Sequence, residues 1–100
     1  MPVPMNVQYA ITQRYGQLTD AITHDPSGEK AVLAPNFSDR SKAKLNSFEY
    51  DPVTVLVQKM SAQPDGVYVN AEYVGVHGHN VTTVDHWEFM NGQWFLVSRR

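Results

Sequence analysis

Residues 81–100, VTTVDHWEFMNGQWFLVSRR, decide the fold, because they predict one β-hairpin with Asn91-Gly92 at its tip. Asn-Gly is the strongest short hairpin signal, since both central residues of a type I′ turn need a positive φ. A two-residue loop there fixes the register of the whole ladder. The predicted pairs are Met90 with Gln93, Phe89 with Trp94, Trp87 with Leu96, His86 with Val97, and Asp85 with Ser98.

One face of the predicted hairpin is aromatic and ends in a carboxylate. Side chains alternate between the two faces of a strand, so residues two apart share a face. An aromatic wall with a carboxylate at its far end suits the lining of a pocket. The face carries Trp87, Phe89, Trp94 and Leu96, followed by Asp85 and Ser98.

The N-terminal part of the chain predicts helices. From Val7 to about His24, apolar residues recur every three or four positions, which indicates one amphipathic helix. Asp25-Pro26 ends this helix, because the residue before a proline avoids the α region. The same pair can cap a second, short helix from Pro26 to about Ala34.

After Pro52 the hydrophobic period becomes two, which is typical of strands. The first strand is predicted from Val53 to about Met60 and the second from Val67 to Val76, with turns at 63–66 and 78–80. Residues 38–52 show no clear period and predict a short strand or a loop. Helices followed by an antiparallel meander indicate a single α+β domain over residues 1–100, with the helices on one face of the sheet.

Composition excludes several classes of protein. Hydrophobic residues make up 42% and charged residues 18% of the 100 positions, which is the balance of a globular chain rather than a disordered one. The net charge is −2 with scattered basic residues, so we expect no nucleic-acid partner. The absence of cysteine excludes disulfides and thiolate metal sites. Neither a signal peptide nor an apolar run of about 18 residues is visible, which predicts a protein without membrane contact. The default location is the cytoplasm, although a mature secreted chain would look the same.

Two stretches resemble the nuclear transport factor 2-like superfamily, especially its polyketide-cyclase-like bacterial members. A long helix leads into DP…AVLAPNF between Asp25 and Phe37, and the chain closes with TVDHWEFMNGQWFLVSR between Thr83 and Arg99. The resemblance covers about two-thirds of the chain. It implies a strongly curved antiparallel sheet wrapped round the helices, a cone-shaped, cystatin-like roll with a pocket at its open end. Members include isomerases, dehydratases, cyclases and epoxide hydrolases, together with non-catalytic binding and dimerisation modules, so this fold does not define one function.

Asp85 is the first candidate for chemistry. A carboxylate in an apolar pocket loses solvation and can serve as a general base, which suits proton abstraction beside a carbonyl. The alternative is structural, with Asp85 at the rim of the sheet bonded to Ser98, Thr83 or Arg99. In the geometry that the resemblance implies, the end of the first helix approaches the pocket mouth, which makes His24 a second catalytic candidate. A helix-dipole contact also explains that histidine.

The other histidines suggest no metal. His77 and His79 have the spacing of two ligands on one strand, and His86 lies on the next strand. However, Gly78 falls in a predicted turn, and the predicted register points His86 away from Asp85. We therefore expect no metal, and no motif in the chain predicts a cofactor.

The aromatic residues predict either a ligand cavity or an ordinary core. The candidate ligand-binding residues are Tyr15, Tyr73, Trp87, Phe89 and Trp94. The opposite face of the sheet is mixed and partly apolar, and the superfamily often dimerises there, so we expect a homodimer through this outer face.

Two functions remain open from the sequence. The first is a pocket protein for a small apolar ligand, either a binder or a lyase- or isomerase-like enzyme with Asp85 as base. The second is a non-catalytic homodimerisation or protein-interaction module whose cone is filled by its own side chains. An open pocket that contains Asp85 favours the first, and a closed interior favours the second.

Overall fold

The computed structural model describes residues 1–37 and 52–99. The prediction of a short strand or loop over residues 38–52 therefore lies almost entirely outside the described residues. Within them the chain is α+β, as expected, with one long helix packed against an antiparallel sheet.

The first helix, α1, spans Met5–His24 and confirms the helical prediction. Its buried stripe is Ile11, Tyr15, Leu18 and Ile22, the positions that the apolar spacing predicted. The second predicted helix is a 3₁₀ helix, Pro26–Ala31, and ends earlier than expected. No helix in the described part of the chain is long and apolar enough to cross a membrane.

Four strands form an open antiparallel meander in the order β1-β2-β3-β4. Their order in space follows their order in the chain, so each strand pairs with its neighbours through a hairpin. The strands are β1 Val53–Gln63, β2 Gly66–Gly75, β3 Asn80–Met90 and β4 Gln93–Arg99.

The core lies between α1 and the inner face of the sheet. In β2 the predicted alternation is confirmed, since Val67, Val69, Ala71 and Tyr73 are all buried. They pack with the buried stripe of α1 in one hydrophobic cluster. Helix and sheet therefore bury each other's apolar faces, which is the main stabilising contribution in a chain of this size.

The terminal hairpin confirms the turn and corrects the register. Asn91 and Gly92 both have positive φ, 51° and 80°, as a type I′ turn requires. Beyond Trp87 and Leu96 the ladder shifts: His86 pairs with Ser98 and Asp85 with Arg99, so that Val97 is an extra residue in β4. The predicted pairs His86 with Val97 and Asp85 with Ser98 are wrong, because a bulge inserts one residue and re-aims the side chains that follow it.

The outer edge of β4 is covered at one point by the segment after the 3₁₀ helix. Leu33 forms a parallel bridge with Leu96. The backbone N–H of Leu96 donates to the carbonyl of Val32, and the N–H of Ala34 donates to the carbonyl of Leu96. This short addition shields an edge that would otherwise invite pairing with another chain.

Gly66, at the start of β2, should not tolerate a side chain. Its φ is 136°, and a Cβ there would overlap the backbone oxygen of Trp87. We expect Gly66→Ala to lower the free energy of unfolding by about 1–3 kcal/mol, measured by urea denaturation. The matched control is Gly16→Ala in α1, where nothing lies within 4 Å of the added Cβ. That variant should gain up to about 1 kcal/mol, and equal effects at both sites would contradict the close approach at Gly66.

Candidate functional site

Asp85 lies in a buried cluster with partners on both carboxylate oxygens. It is 0% exposed. Arg99 Nε donates to Oδ1 over 2.8 Å, and the hydroxyls of Tyr15 and Tyr73 donate to Oδ2 over 2.6 and 2.8 Å. The indole Nε1 of Trp87 in turn donates to the Tyr15 hydroxyl over 3.1 Å. We call these five residues the Asp85 cluster.

Four elements of the fold contribute to the Asp85 cluster: α1, β2, β3 and β4. Tyr15 comes from the buried stripe of α1, and Tyr73 from the inner face of β2. Asp85 and Trp87 are two apart on β3 and therefore share its inner face. Arg99 reaches the same face only because the bulge in β4 shifts the alternation by one residue.

Arg99 is held as a paired cation in the interior. It is 5% exposed, its Nη2 also donates to the Tyr73 hydroxyl, and its guanidinium lies 4.3 Å from the centre of the Tyr73 ring. Burial by itself lowers the pKa of Arg99, but Tyr73 and Asp85 more than offset it, so the pKa is raised. The arginine therefore stays charged, and its charge is balanced by the Asp85 carboxylate.

The two tyrosines of the Asp85 cluster are held in their neutral form. Burial raises the pKa of Tyr15 well above its usual 10, and the Asp85 charge and Tyr73 raise it further. Burial also raises the pKa of Tyr73 well above 10, with Arg99 opposing the shift and Asp85 adding to it. Both hydroxyls thus remain donors to Asp85 throughout the neutral range.

These raised values predict a loss of stability in alkali. A tyrosine whose pKa is higher in the folded than in the unfolded state stabilises the fold fully below about pH 10. As the pH rises above 10, the unfolded chain loses these protons first, so the free energy of unfolding falls. The limit is about 1.4 kcal/mol per pH unit for each tyrosine. Urea midpoints between pH 9 and 12 should fall, and Tyr73→Phe should flatten the decline. The same slope in wild type and variant would contradict the assignment.

The hydrogen bonds around Asp85 affect whether it can act as a general base. A general base must come within hydrogen-bonding distance of the proton it removes. The Asp85 oxygens are enclosed and already accept bonds from Arg99, Tyr15 and Tyr73, so a substrate would first have to displace one of these donors. Arg99 is one of the three hydrogen-bond partners that the structural interpretation of Asp85 named, together with Ser98 and Thr83. A catalytic role for Asp85 stays a prediction.

The predicted set of aromatic ligand residues divides in two. Tyr15, Tyr73 and Trp87 are buried in the Asp85 cluster. Phe89 is 60% exposed, and with Trp94 it faces a groove of about 610 Å³ between α1 and the tip of the β3–β4 hairpin. We call this the helix–hairpin groove. Its lining residues are Asn6, Val7, Ala10, Gln13, Arg14, Gln17, Phe89, Gly92, Gln93 and Trp94.

A second hollow of about 430 Å³ adjoins the groove. The two share Val7, Phe89 and Trp94 as a common wall. Asp65 and Glu88 line the second hollow, whereas Arg14 lines the first. The shared apolar wall therefore separates a basic from an acidic side.

The histidines do not meet Asp85. His24 is exposed at the end of α1, 3.7 Å from Asp20, and stays a predicted catalytic residue without a contact to the Asp85 cluster. His86 lies on the outer face, where it stacks on Tyr68 at 4.4 Å and its Nε2 lies 2.8 Å from the carbonyl oxygen of Asp65. Among residues 1–37 and 52–99, no three His, Asp or Glu side chains are grouped closely enough to hold a metal ion.

Arg14 is a site residue that the sequence analysis missed. It points from α1 to the hairpin, where its Nε donates to the carbonyl of Trp94 over 2.8 Å. Its Nη2 donates to the carbonyl of Ala31 over 2.6 Å. The sequence offered one signal for it. Arg14 is the one arginine in α1, and Asp20 is the single acidic residue of that helix.

A scan against models of protein families finds no match, and a search among curated proteins finds no similar sequence.

Proposed function

We propose that this protein binds a small apolar ligand in the helix–hairpin groove and that it belongs to the nuclear transport factor 2-like type. The observation that carries the proposal is the contrast between the two aromatic groups. Phe89 and Trp94 are open to the groove, whereas Asp85 is 0% exposed. The closed surroundings of Asp85 favour an interior filled by the protein's own side chains, so the proposal places the ligand outside the interior and assigns no turnover to Asp85.

The groove has the properties of a ligand site. Its volume of about 610 Å³ falls within the range of roughly 300–1,000 Å³ for pockets that hold small molecules. Trp94 and Phe89 contact each other at 5.4 Å between ring centres and offer a large apolar surface. A ring placed against them would cover part of Phe89, whose exposure is otherwise unfavourable.

The Asp85 cluster has a structural role in this proposal. Ion pairs in an interior fix which side chains meet more than they add net stability. Here the pair of Asp85 and Arg99 ties β3 to the end of β4, and Tyr15 ties α1 to β3. The resemblance to the superfamily is supported by the helix packed on an antiparallel meander and by the Asn-Gly hairpin that closes the chain.

Native mass spectrometry tests ligand binding directly. Freshly purified protein should carry an extra mass of a few hundred daltons that is lost on denaturation, and the variant Phe89→Ser should lose most of it. Tyr9→Ser is the matched control, because Tyr9 is 68% exposed on α1 and does not line the groove. A retained ligand that Phe89→Ser leaves unchanged would place the site elsewhere.

Self-association through the outer face of the sheet is the second candidate. Leu56 is 48% exposed and Val84 39% exposed on that face, and both are apolar. Their neighbours there include Glu72 and Asn70, so the face is mixed, whereas homodimer interfaces are on average more apolar than the rest of a protein surface. Sedimentation equilibrium should give a dimer that Val84→Asp converts to a monomer, and a monomeric wild type would remove this candidate.

A further inference from the structure

We propose that the ligand of the helix–hairpin groove is a small aromatic carboxylate, with its ring on Trp94 and Phe89 and its carboxylate at Arg14. This inference rests on the proposed function of the groove as a ligand site. It keeps an apolar ring as the body of the ligand, adds one carboxylate to it, and names the residue that selects that group.

Arg14 is the only charged residue among the described residues that line the groove. The polar residues beside it are neutral amides, Asn6, Gln13, Gln17 and Gln93. Within the described part of the chain, no carboxylate of the lining competes for the guanidinium. An anionic group is therefore favoured at Arg14, and a cationic ligand is disfavoured there.

The Arg14 guanidinium is fixed in place with donor capacity left over. It has five N–H donors. Within the described residues, Trp94, Ala31 and Gln17 accept three of them, at 2.8, 2.6 and 2.5 Å. One N–H on each terminal nitrogen remains for a ligand, and a carboxylate with two oxygens matches two parallel donors.

Partial burial strengthens this preference. The loss of solvation lowers the pKa of Arg14. A cation that has lost water gains more from an anionic partner than a fully solvated one does. Because the three existing hydrogen bonds already restrict the Arg14 side chain, that side chain loses little conformational entropy when the carboxylate binds.

The aromatic part of the ligand follows from the opposite wall. The ring planes of Phe89 and Trp94 are tilted by 57°, and Phe89 is 60% exposed beside the groove, where a third ring can pack against it. Such ring contacts prefer offset or edge geometries and contribute beyond simple burial. Val7 and Ala10 of α1 complete the apolar wall without adding polar groups.

Three compounds with the same ring and different charge test the inference. Indole-3-acetate, indole-3-acetamide and tryptamine are titrated by calorimetry, and the site is located by two-dimensional amide NMR. We expect the acetate to bind at least tenfold more tightly than the acetamide and tryptamine to bind most weakly. Arg14→Gln should reduce acetate affinity to the level of the acetamide and change acetamide affinity by less than twofold.

A second variant covers the case in which Arg14→Gln fails to fold. Gln17→Glu keeps the bonds of Arg14 to Trp94 and Ala31 and places a carboxylate against its Nη1. It should weaken acetate binding at least tenfold and strengthen tryptamine binding.

The outcomes separate this inference from the function on which it rests. Equal affinities for acetate and acetamide at the groove would overturn the carboxylate class and leave the groove as a ligand site. A preference for acetate that persists in both variants would overturn the role of Arg14. If none of the three compounds binds at millimolar concentration, the inference is overturned; the proposed function is overturned as well only when freshly purified protein also carries no retained mass in native mass spectrometry.

Discussion

Replacing Arg99 with methionine is expected to lower the free energy of unfolding by about 3–5 kcal/mol, because it leaves the Asp85 carboxylate buried without its cation. The carboxylate is 0% exposed and cannot recover the lost interaction from water. For a domain whose total stability is about 5–15 kcal/mol, this change is a large fraction. Urea denaturation followed by circular dichroism measures it.

The double variant Arg99→Met with Asp85→Leu is the control. It removes both charges, so no unpaired ion remains in the interior, and apolar replacements of a buried pair are often tolerated. Tyr15 and Tyr73 still lose their acceptor, so some loss of stability persists. We expect the double variant to be more stable than Arg99→Met alone. A double variant whose loss equals the sum of the two single losses would contradict a coupled pair.

Asp85→Asn should also destabilise the fold, by about 3–5 kcal/mol. The substitution is close in size, but it leaves the Arg99 cation without a counter-charge. It also turns an acceptor-only group into one that carries an NH₂ donor. Since Arg99, Tyr15 and Tyr73 all donate to Asp85, the new donor faces other donors and at least one bond is lost.

This variant distinguishes the structural from the catalytic interpretation of Asp85. A purely catalytic carboxylate can be replaced by an amide with loss of turnover and little loss of stability. Urea denaturation of Asp85→Asn is compared with Asp65→Asn, a change at an exposed aspartate in the β1–β2 turn. Equal stability of the two variants would contradict a structural role for Asp85.

The sequence predicted the elements of the fold because each has a local physical signature. The spacing of Ile11, Tyr15, Leu18 and Ile22 is the period of a helix whose one face is buried. Alternation in β2 and the Asn91-Gly92 turn are equally local. These signals depend only on residues close together in the sequence, and the tertiary structure retains the elements that they predict.

The composition of the site could not be predicted in the same way. A regular hairpin places Ser98 opposite Asp85, and only the extra residue Val97 brings Arg99 to that position. A bulge leaves no periodic pattern in the sequence. Its position depends on tertiary contacts, here the pairing of Arg99 with Asp85 in the interior. The position of Arg14 is non-local too, since its acceptors lie 80 and 17 residues away along the chain.

The face predicted for the hairpin was correct for its aromatic residues and Asp85, wrong for Ser98, which pairs with His86, and incomplete as a site. Trp87 and Leu96 are covered by the core, whereas Phe89 is exposed and lies with Trp94 beside the groove. Periodicity assigns residues to a face of the sheet. Periodicity does not predict how much of that face α1 covers. This coverage decides which residues become core and which line the groove.

The two tryptophans provide the most direct test, because Trp87 lies in the Asp85 cluster and Trp94 lines the groove. Protein labelled with 5-fluorotryptophan gives one ¹⁹F resonance for each, assigned with Trp94→Phe, and is titrated with indole-3-acetate. A ligand in the helix–hairpin groove shifts the Trp94 resonance and leaves that of Trp87 unchanged. A shift of Trp87 alone would place the ligand in the interior beside Asp85 and contradict the account.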